Sequence, residues 1–169
     1  MLMRKVICFH NPNEENAFLS NWSFSGFEKN GVKYSSMEQY MMHQKAMTFG
    51  DMEIAEKIMA ASDFGEIKAL GRQVHNYDDR IWSGIRQIVV YEGLLEKFRQ
   101  NPELKALLDE HGIIPVAKDF LGGRVGINDL IWAIGLTMQD ANRLNIEKWR
   151  GQNLLGFALM QVREKLSKE

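Results

Sequence analysis

Gly31-Val32-Lys33-Tyr34-Ser35-Ser36-Met37-Glu38-Gln39-Tyr40-Met41-Met42-His43-Gln44-Lys45-Ala46 is the stretch on which the fold turns. Ser35 or Ser36 can cap a helix start, and good helix formers follow without Gly or Pro until Gly50, so a helix is expected through about Phe49. In it Glu38, Met41 or Met42, and Lys45 stand at i, i+3/i+4 and i+7, which puts a carboxylate and an amine on one face about two turns apart. An ion pair favours a spacing of three or four. The longer spacing suits two groups that reach toward something between them. The same pattern also fits an amphipathic helix with Met and Tyr in a core and both charges in water.

Before the helix, Arg4 to His10 reads as a short strand, 11–16 as a turn-rich loop, and Phe24–Glu28 with Val32–Tyr34 as a hairpin closed by Asn30-Gly31. After it, Asp51 can cap a helix running to about Ala61, and Ser62-Asp63 opens another from Phe64 to about Leu70, ending at Gly71-Arg72. Asp78 and Asp79 precede a long apolar-periodic core helix through Phe98. Asn101-Pro102 stops it and starts a short helix, Glu103 to about Asp109, closed by His111-Gly112. Ile113–Ala117 reads as a strand with an edge-type proline, and Lys118–Gly126 as a glycine-rich loop or second hairpin. Trp149–Asn153 caps a last helix, Leu154 to about Leu166.

The chain has 169 residues, 45% of them hydrophobic, enough for a single domain with a substantial core. No repeat, linker or low-complexity tract interrupts it, so one compact α+β domain over 1–169, more helix than strand, is expected. A net charge of -1 supplies no field for nucleic acid or membrane, and an anionic ligand would need a local cluster. The lone Cys8 excludes an internal disulfide and argues against a cysteine zinc site; four scattered histidines lack ligand spacing, so no metal is expected. No signal-like run and no segment of roughly eighteen apolar residues is present, so a cytoplasmic protein without membrane contact is expected.

No nucleotide loop, metal pair or serine elbow occurs. What remains is Glu38 and Asp129, Lys45, the aromatics Trp22, Tyr34 and Trp132, and the basic pair Lys68 and Arg72. Such a set can hydrolyse a sugar-to-nitrogen bond, acids supporting cationic character at the sugar carbon and a lysine attacking an opened sugar. It is equally compatible with an assortment of surface residues. Lys68 and Arg72 are phosphate candidates by residue type, and equally an ordinary cationic helix end.

Phe18-Leu19-Ser20-Asn21-Trp22, Gly31-x-x-Tyr34-x-Ser36-x-Glu38-Gln39-Tyr40-Met41-Met42-x-x-Lys45-Ala46, Lys68-x-x-Gly71-Arg72, Trp82-x-x-x-Arg86, Lys97-Phe98, Asp129-x-x-Trp132-x-x-Gly135-Leu136 and Trp149-x-Gly151-x-Asn153-Leu154-Leu155-Gly156 follow one another in the order seen in the NADAR, or YbiA-like, family, which the chain resembles. The resemblance implies a mainly helical α+β fold with a short N-terminal strand and hairpin. It also implies a cytoplasmic N-glycosidase that needs no cofactor and no obligate protein partner. Its substrate would be a small nucleotide of the early riboflavin pathway, carrying a ribosylamino bond, or ADP-ribosylated guanine, free or in nucleic acid. In both the sugar sits on an exocyclic amine, a linkage that opens to an imine and accepts a lysine as a Schiff base.

Position by position, the resemblance makes Lys45 the nucleophile, Glu38 its proton-transfer partner and Asp129 the second acid or a holder of sugar hydroxyls. Asn21 and Trp22 would contact base or ribose, or only fix the hairpin; Tyr34 would bind substrate, Trp132 would line the pocket, and Lys68 and Arg72 would hold the phosphate. Asn153 would bind substrate, or with Gly151 form only a helix cap and its turn. Two positions depart from the family pattern: Arg124 stands where a glutamate is usual, five residues before Asp129, and Ala133 follows Trp132 where glycine is usual. Arg124 either removes an acid or offers a further cation for phosphate, or the alignment shifts and Asp119 supplies the charge. The alternatives to an enzyme are a catalytically impaired module that grips ADP-ribose or a nucleotide, and a purely structural protein.

Overall fold

The computed structural model describes residues 6–10, 13–14, 16–110, 121–124 and 128–169. In chain order its helices and strands are β1 (Val6–Phe9), β2 (Phe27–Lys29), β3 (Val32–Tyr34), α1 (Met37–Thr48), α2 (Met52–Ala60), α3 (Phe64–Gly71), α4 (Asp79–Gln100), α5 (Pro102–Glu110), β4 (Leu121–Arg124) and α6 (Leu154–Leu166). The fold is α+β and mainly helical. The residues fall into two compact units, Asn21–Gln100 and the remainder on either side of it. No helix among the described residues is long and apolar enough to cross a membrane.

In the unit Asn21–Gln100, β2 and β3 pair antiparallel, Phe27 opposite Tyr34 and Lys29 opposite Val32. Asn30 and Gly31 both take positive φ, 53° and 79°. A two-residue turn needs that to match the twist of its strands, and Asn-Gly is the pair that adopts it most readily. The hairpin delivers the chain into α1, where extended Ser36 accepts the Gln39 N–H on its hydroxyl at 3.2 Å. Gln39 returns its Oε1 to the Ser35 N–H at 2.8 Å and turns its Nε2 to the carbonyls of Ile58 and Ala61. One buried amide thereby satisfies groups at the start of α1 and the end of α2.

Helix α1 packs against α2, α3 and α4. With neighbours on three sides it buries most of its surface, Glu38 and Gln39 included, unlike a one-faced amphipathic helix. Two glycines let the partner helices come close. A Cβ on Gly71 of α3 would lie 2.0 Å from Met42 Sδ, and one on Gly93 of α4 would lie 2.4 Å from the Tyr40 ring. The expected caps hold on α2 and α3, where Asp51 accepts from Ile54 and Asp63 from Glu66.

In the other unit β1 pairs parallel with β4, Val6 opposite Leu121 and Phe9 opposite Arg124. This corrects the expectation of a loop or hairpin for the glycine-rich stretch. Parallel pairing to a strand more than a hundred residues away leaves no local turn signal. The Arg124 backbone is held on both sides: its carbonyl accepts the Ile134 N–H at 2.9 Å and its N–H donates to Asn153 Oδ1 at 3.2 Å. Ile134 and Leu136 are buried with Cys8, Met138 and Trp149 against them. Helix α6 buries Leu155, Ala158, Leu159, Val162 and Leu166. Asn153 precedes it in a left-handed conformation and makes no side-chain cap, because its oxygen is used on β4. The strand expected over 113–117, the closing pair His111-Gly112 and Asp119 lie outside the described residues.

Candidate active site

Lys45 and Glu38 mark the two ends of one stripe of α1. Seven residues of helix separate them by about 10 Å along the axis. Glu38 is 4% exposed, in the first helical turn, and its N–H donates to the Asn21 carbonyl at 3.0 Å. A buried acid is tolerated there because the positive end of the helix favours negative charge. Lys45 is half-buried, and its Nζ donates to the Gly71 carbonyl at 2.6 Å and lies 4.3 Å from the centre of the Tyr77 ring. Burial pulls the Lys45 ammonium below the ordinary lysine value; Asp79 opposes this and Arg72 adds to it.

Helix α3 runs alongside in the same direction. Trp22, next to Asn21, stacks on Phe64 at the start of α3 with ring centres 5.6 Å apart and 15° between planes. Gly71, at its end, receives Lys45. Phe64, Lys68 and Gly71 stand at i, i+4 and i+7, a stripe matching that of Glu38 and Lys45. Lys68 Nζ lies 5.6 Å from the Trp22 ring centre, and Phe24, exposed, stacks on Phe64 at 4.4 Å. Asn21 is 6% exposed, and its Oδ1 accepts no hydrogen bond from the described residues. Buried oxygens are nearly always satisfied, so this one is a place for a donor from a bound molecule.

Glu38, Lys45, Asn21, Trp22, Lys68 and Arg72 therefore belong to one unit; Arg72, just after α3, acts on Lys45 through its charge. Tyr34 lies in the same unit with its ring in the core, edge-on to Tyr40 at 5.1 Å, and its hydroxyl bonded to His43 and Gln44. The other unit holds Asp129, Trp132 and Asn153. Asp129 Oδ1 accepts the N–H groups of Ile131 and Trp132 at 3.1 and 2.8 Å, and its Oδ2 pairs with the Arg124 guanidinium. The residue that departs from the family pattern is thus the ion-pair partner of the acid that matches it. Asn153 is fully buried on the Arg124 N–H.

No local signal in the sequence marks Tyr77, Asp79, Phe64 or the pair Asp51–His75 as part of the site. Asp51, while capping α2 with Oδ1, takes both the His75 N–H and the His75 Nδ1 on Oδ2, each at 2.8 Å. That anchors the turn between α3 and α4 which carries Tyr77. The aspartates read as helix caps, and nothing local distinguishes a cap that also holds a distant turn.

The sequence profile of the NADAR domain matches residues 8–167. The chain belongs to the NADAR domain family. Among NADAR relatives it is 40% identical over 168 residues to N-glycosidase R617 of Acanthamoeba polyphaga mimivirus, covering 95% of either chain. It is 28% identical to the riboflavin biosynthesis protein VVA0006 of Vibrio vulnificus, spanning 98% of this chain and 40% of that one. The solution structure of the Escherichia coli protein YbiA superposes with a TM-score of 0.77 at 25% identity, over 98% of this chain and 87% of that one.

Proposed function

We propose that the protein is an N-glycosidase that hydrolyses a ribosyl bond to an exocyclic amine, with Lys45 as nucleophile and Glu38 as its proton-transfer partner. The observation that carries the reading is a half-buried amine, its pKa lowered by burial, on the same helical face as a buried carboxylate. The relative named N-glycosidase supports the bond type, and the one named riboflavin biosynthesis protein is in keeping with the ribosylaminopyrimidine phosphate; ADP-ribosylated guanine rests on the family resemblance alone.

The steps balance as follows. Protonation of the ring oxygen opens the N-riboside to an iminium at C1. Neutral Lys45 Nζ adds to C1, and its surplus proton passes by way of Glu38 to the departing exocyclic nitrogen. The C1–N bond to the base breaks, leaving a lysine Schiff base. Water adds to C1, the lysine leaves, and free sugar closes again, so the net reaction consumes one water. A lysine must be neutral to attack, which is why its burial matters and why Glu38 stands two turns away rather than adjacent. In this reading Asn21 Oδ1 accepts from sugar or base, Trp22 borders the base, and Lys68 and Arg72 hold phosphate. Asp129, which already accepts three hydrogen bonds, is assigned one sugar hydroxyl on the strength of the family resemblance. No cofactor enters any step.

The Arg124–Asp129 ion pair favours a second reading, a module that binds ADP-ribose or a nucleotide with little turnover. The test offers each substrate to purified protein, follows sugar release, and adds borohydride to trap a Schiff base. Release with a sugar adduct on Lys45, both lost in Lys45→Ala, is expected. Release that persists in Lys45→Ala overturns the lysine mechanism; ADP-ribose binding without release from either substrate favours the module.

A further inference from the structure

The geometry points to Tyr77, with Asp79 bonded behind it, as a positioning pair that fixes the Lys45 amine. This rests on Lys45 being the nucleophile. The Lys45 Nζ has the Gly71 carbonyl at 2.6 Å and the Tyr77 ring at 4.3 Å from its centre. The carbonyl accepts a hydrogen bond from the amine; a ring face attracts the ammonium and packs against the end of the side chain. Tyr77 is itself constrained. Its hydroxyl donates to Asp79 Oδ1 at 2.6 Å, its ring meets Phe49 edge-on at 5.3 Å, and the turn that carries it is tied to α2 through Asp51 and His75. Burial, together with the bond to Asp79, pushes the Tyr77 phenol up to about 12, so it remains a donor throughout the working range.

Among the described residues, the charged groups acting on Lys45 are Asp79 and Arg72. Asp79 at the start of α4 favours the ammonium, and Arg72 after α3 disfavours it. Asp78 and Arg86 act on Tyr77 with opposite signs. Glu38 stands on the same helix two turns back. In this arrangement Asp79 favours the charged form of the lysine, the form that docks on the ring and carbonyl. Loss of the proton removes the attraction to both the ring and Asp79, which frees the neutral amine for attack. The device holds the nucleophile in register before the substrate arrives and limits its reaction with other carbonyl compounds.

The test compares wild type with Tyr77→Leu, Tyr77→Phe and Asp79→Asn. Tyr77 is 41% exposed, so each variant is expected to fold. Base release against pH gives a limiting rate and a midpoint. Asp79→Asn is expected to move the midpoint to lower pH, because the charge that favours the ammonium is gone. Tyr77→Leu is expected to cut the limiting rate by roughly 10-fold, because the ring face that packs against the end of the side chain no longer keeps the neutral amine in register, a loss inside the roughly hundredfold that an ångström-scale misplacement can cost. Tyr77→Phe, which keeps the ring, is expected to recover most of that loss. A second readout needs no turnover: lysines are reductively methylated with ¹³C-formaldehyde, the Lys45 signal is assigned by its absence in Lys45→Arg, and its titration is followed by NMR. If Lys45 is not the nucleophile, wild type traps no sugar while Asp79→Asn still shifts the Lys45 titration. If the pairing is wrong, wild type traps sugar while the titration and midpoint of Asp79→Asn coincide with wild type and Tyr77→Leu keeps the full rate.

Discussion

Replacing Lys97 by methionine should remove a specific pH dependence from the stability of the protein. Lys97 lies in α4 with no exposed surface, and burial pulls its ammonium from 10.5 to about 7. Between these values the folded protein holds the amine neutral while the unfolded chain holds it charged. The unfolded state then binds one more proton, so stability rises with pH by about 1.4 kcal/mol per unit. Below about pH 7 both states are protonated and the slope vanishes, and the burial penalty is felt in full. From about pH 7.5 to 9.0 wild type should therefore gain roughly 2 kcal/mol relative to Lys97→Met, whose side chain has similar length and no charge. Urea unfolding followed by circular dichroism at about pH 6.0, 7.5 and 9.0 on both proteins measures it, the difference between them cancelling every other titrating group. Stability curves that run parallel across this range would show that Lys97 keeps an ordinary ammonium in the folded protein and refute the reasoning.

Gly93→Ala should cost about 1–2 kcal/mol: overpacking against Tyr40 and Met37 is offset in part by the better helix propensity of alanine. Thermal melting should fall by roughly 2–8 °C. Asn153→Ala should lose about 1–3 kcal/mol in chemical denaturation, because the Arg124 N–H loses its acceptor. Asn153→Gly should lose less, since glycine adopts the left-handed φ of 50° freely. The Asp51 carboxyl is held below the usual carboxylate range, first by the His75 N–H and then by the Ile54 N–H and the His75 ring. Its contribution is therefore present above the ordinary aspartate range and lost as pH falls through the lowered value. An acid-unfolding titration of Asp51→Asn should show a shallower acid limb than wild type.

Much of the architecture was legible along the chain because its signals are local. Ser36, Asp51 and Asp63 cap the helices that follow them, Asn30-Gly31 makes the turn, and Pro102 opens α5, each through atoms within a few residues. The face shared by Glu38 and Lys45 followed from the helical period alone. The glycine-rich stretch before Arg124 misled, since its strand exists only through a parallel partner at the other end of the chain.

Tertiary packing decided what the local signals left open. Glu38 and Lys45 could have stood in water on a one-faced helix. Three neighbouring helices, two of them approaching over Gly71 and Gly93, bury the carboxylate and half-bury the amine. Tyr77 and Asp79 came to Lys45 because a turn is tied down through Asp51 and His75, and Arg124 met Asp129 because β4 is held by Ile134 and Asn153. Residue order determines which groups share a helix face, through bonds spanning a few residues. Desolvation and charge pairing arise among residues distant in sequence, so the chemistry of the lysine is set by the fold.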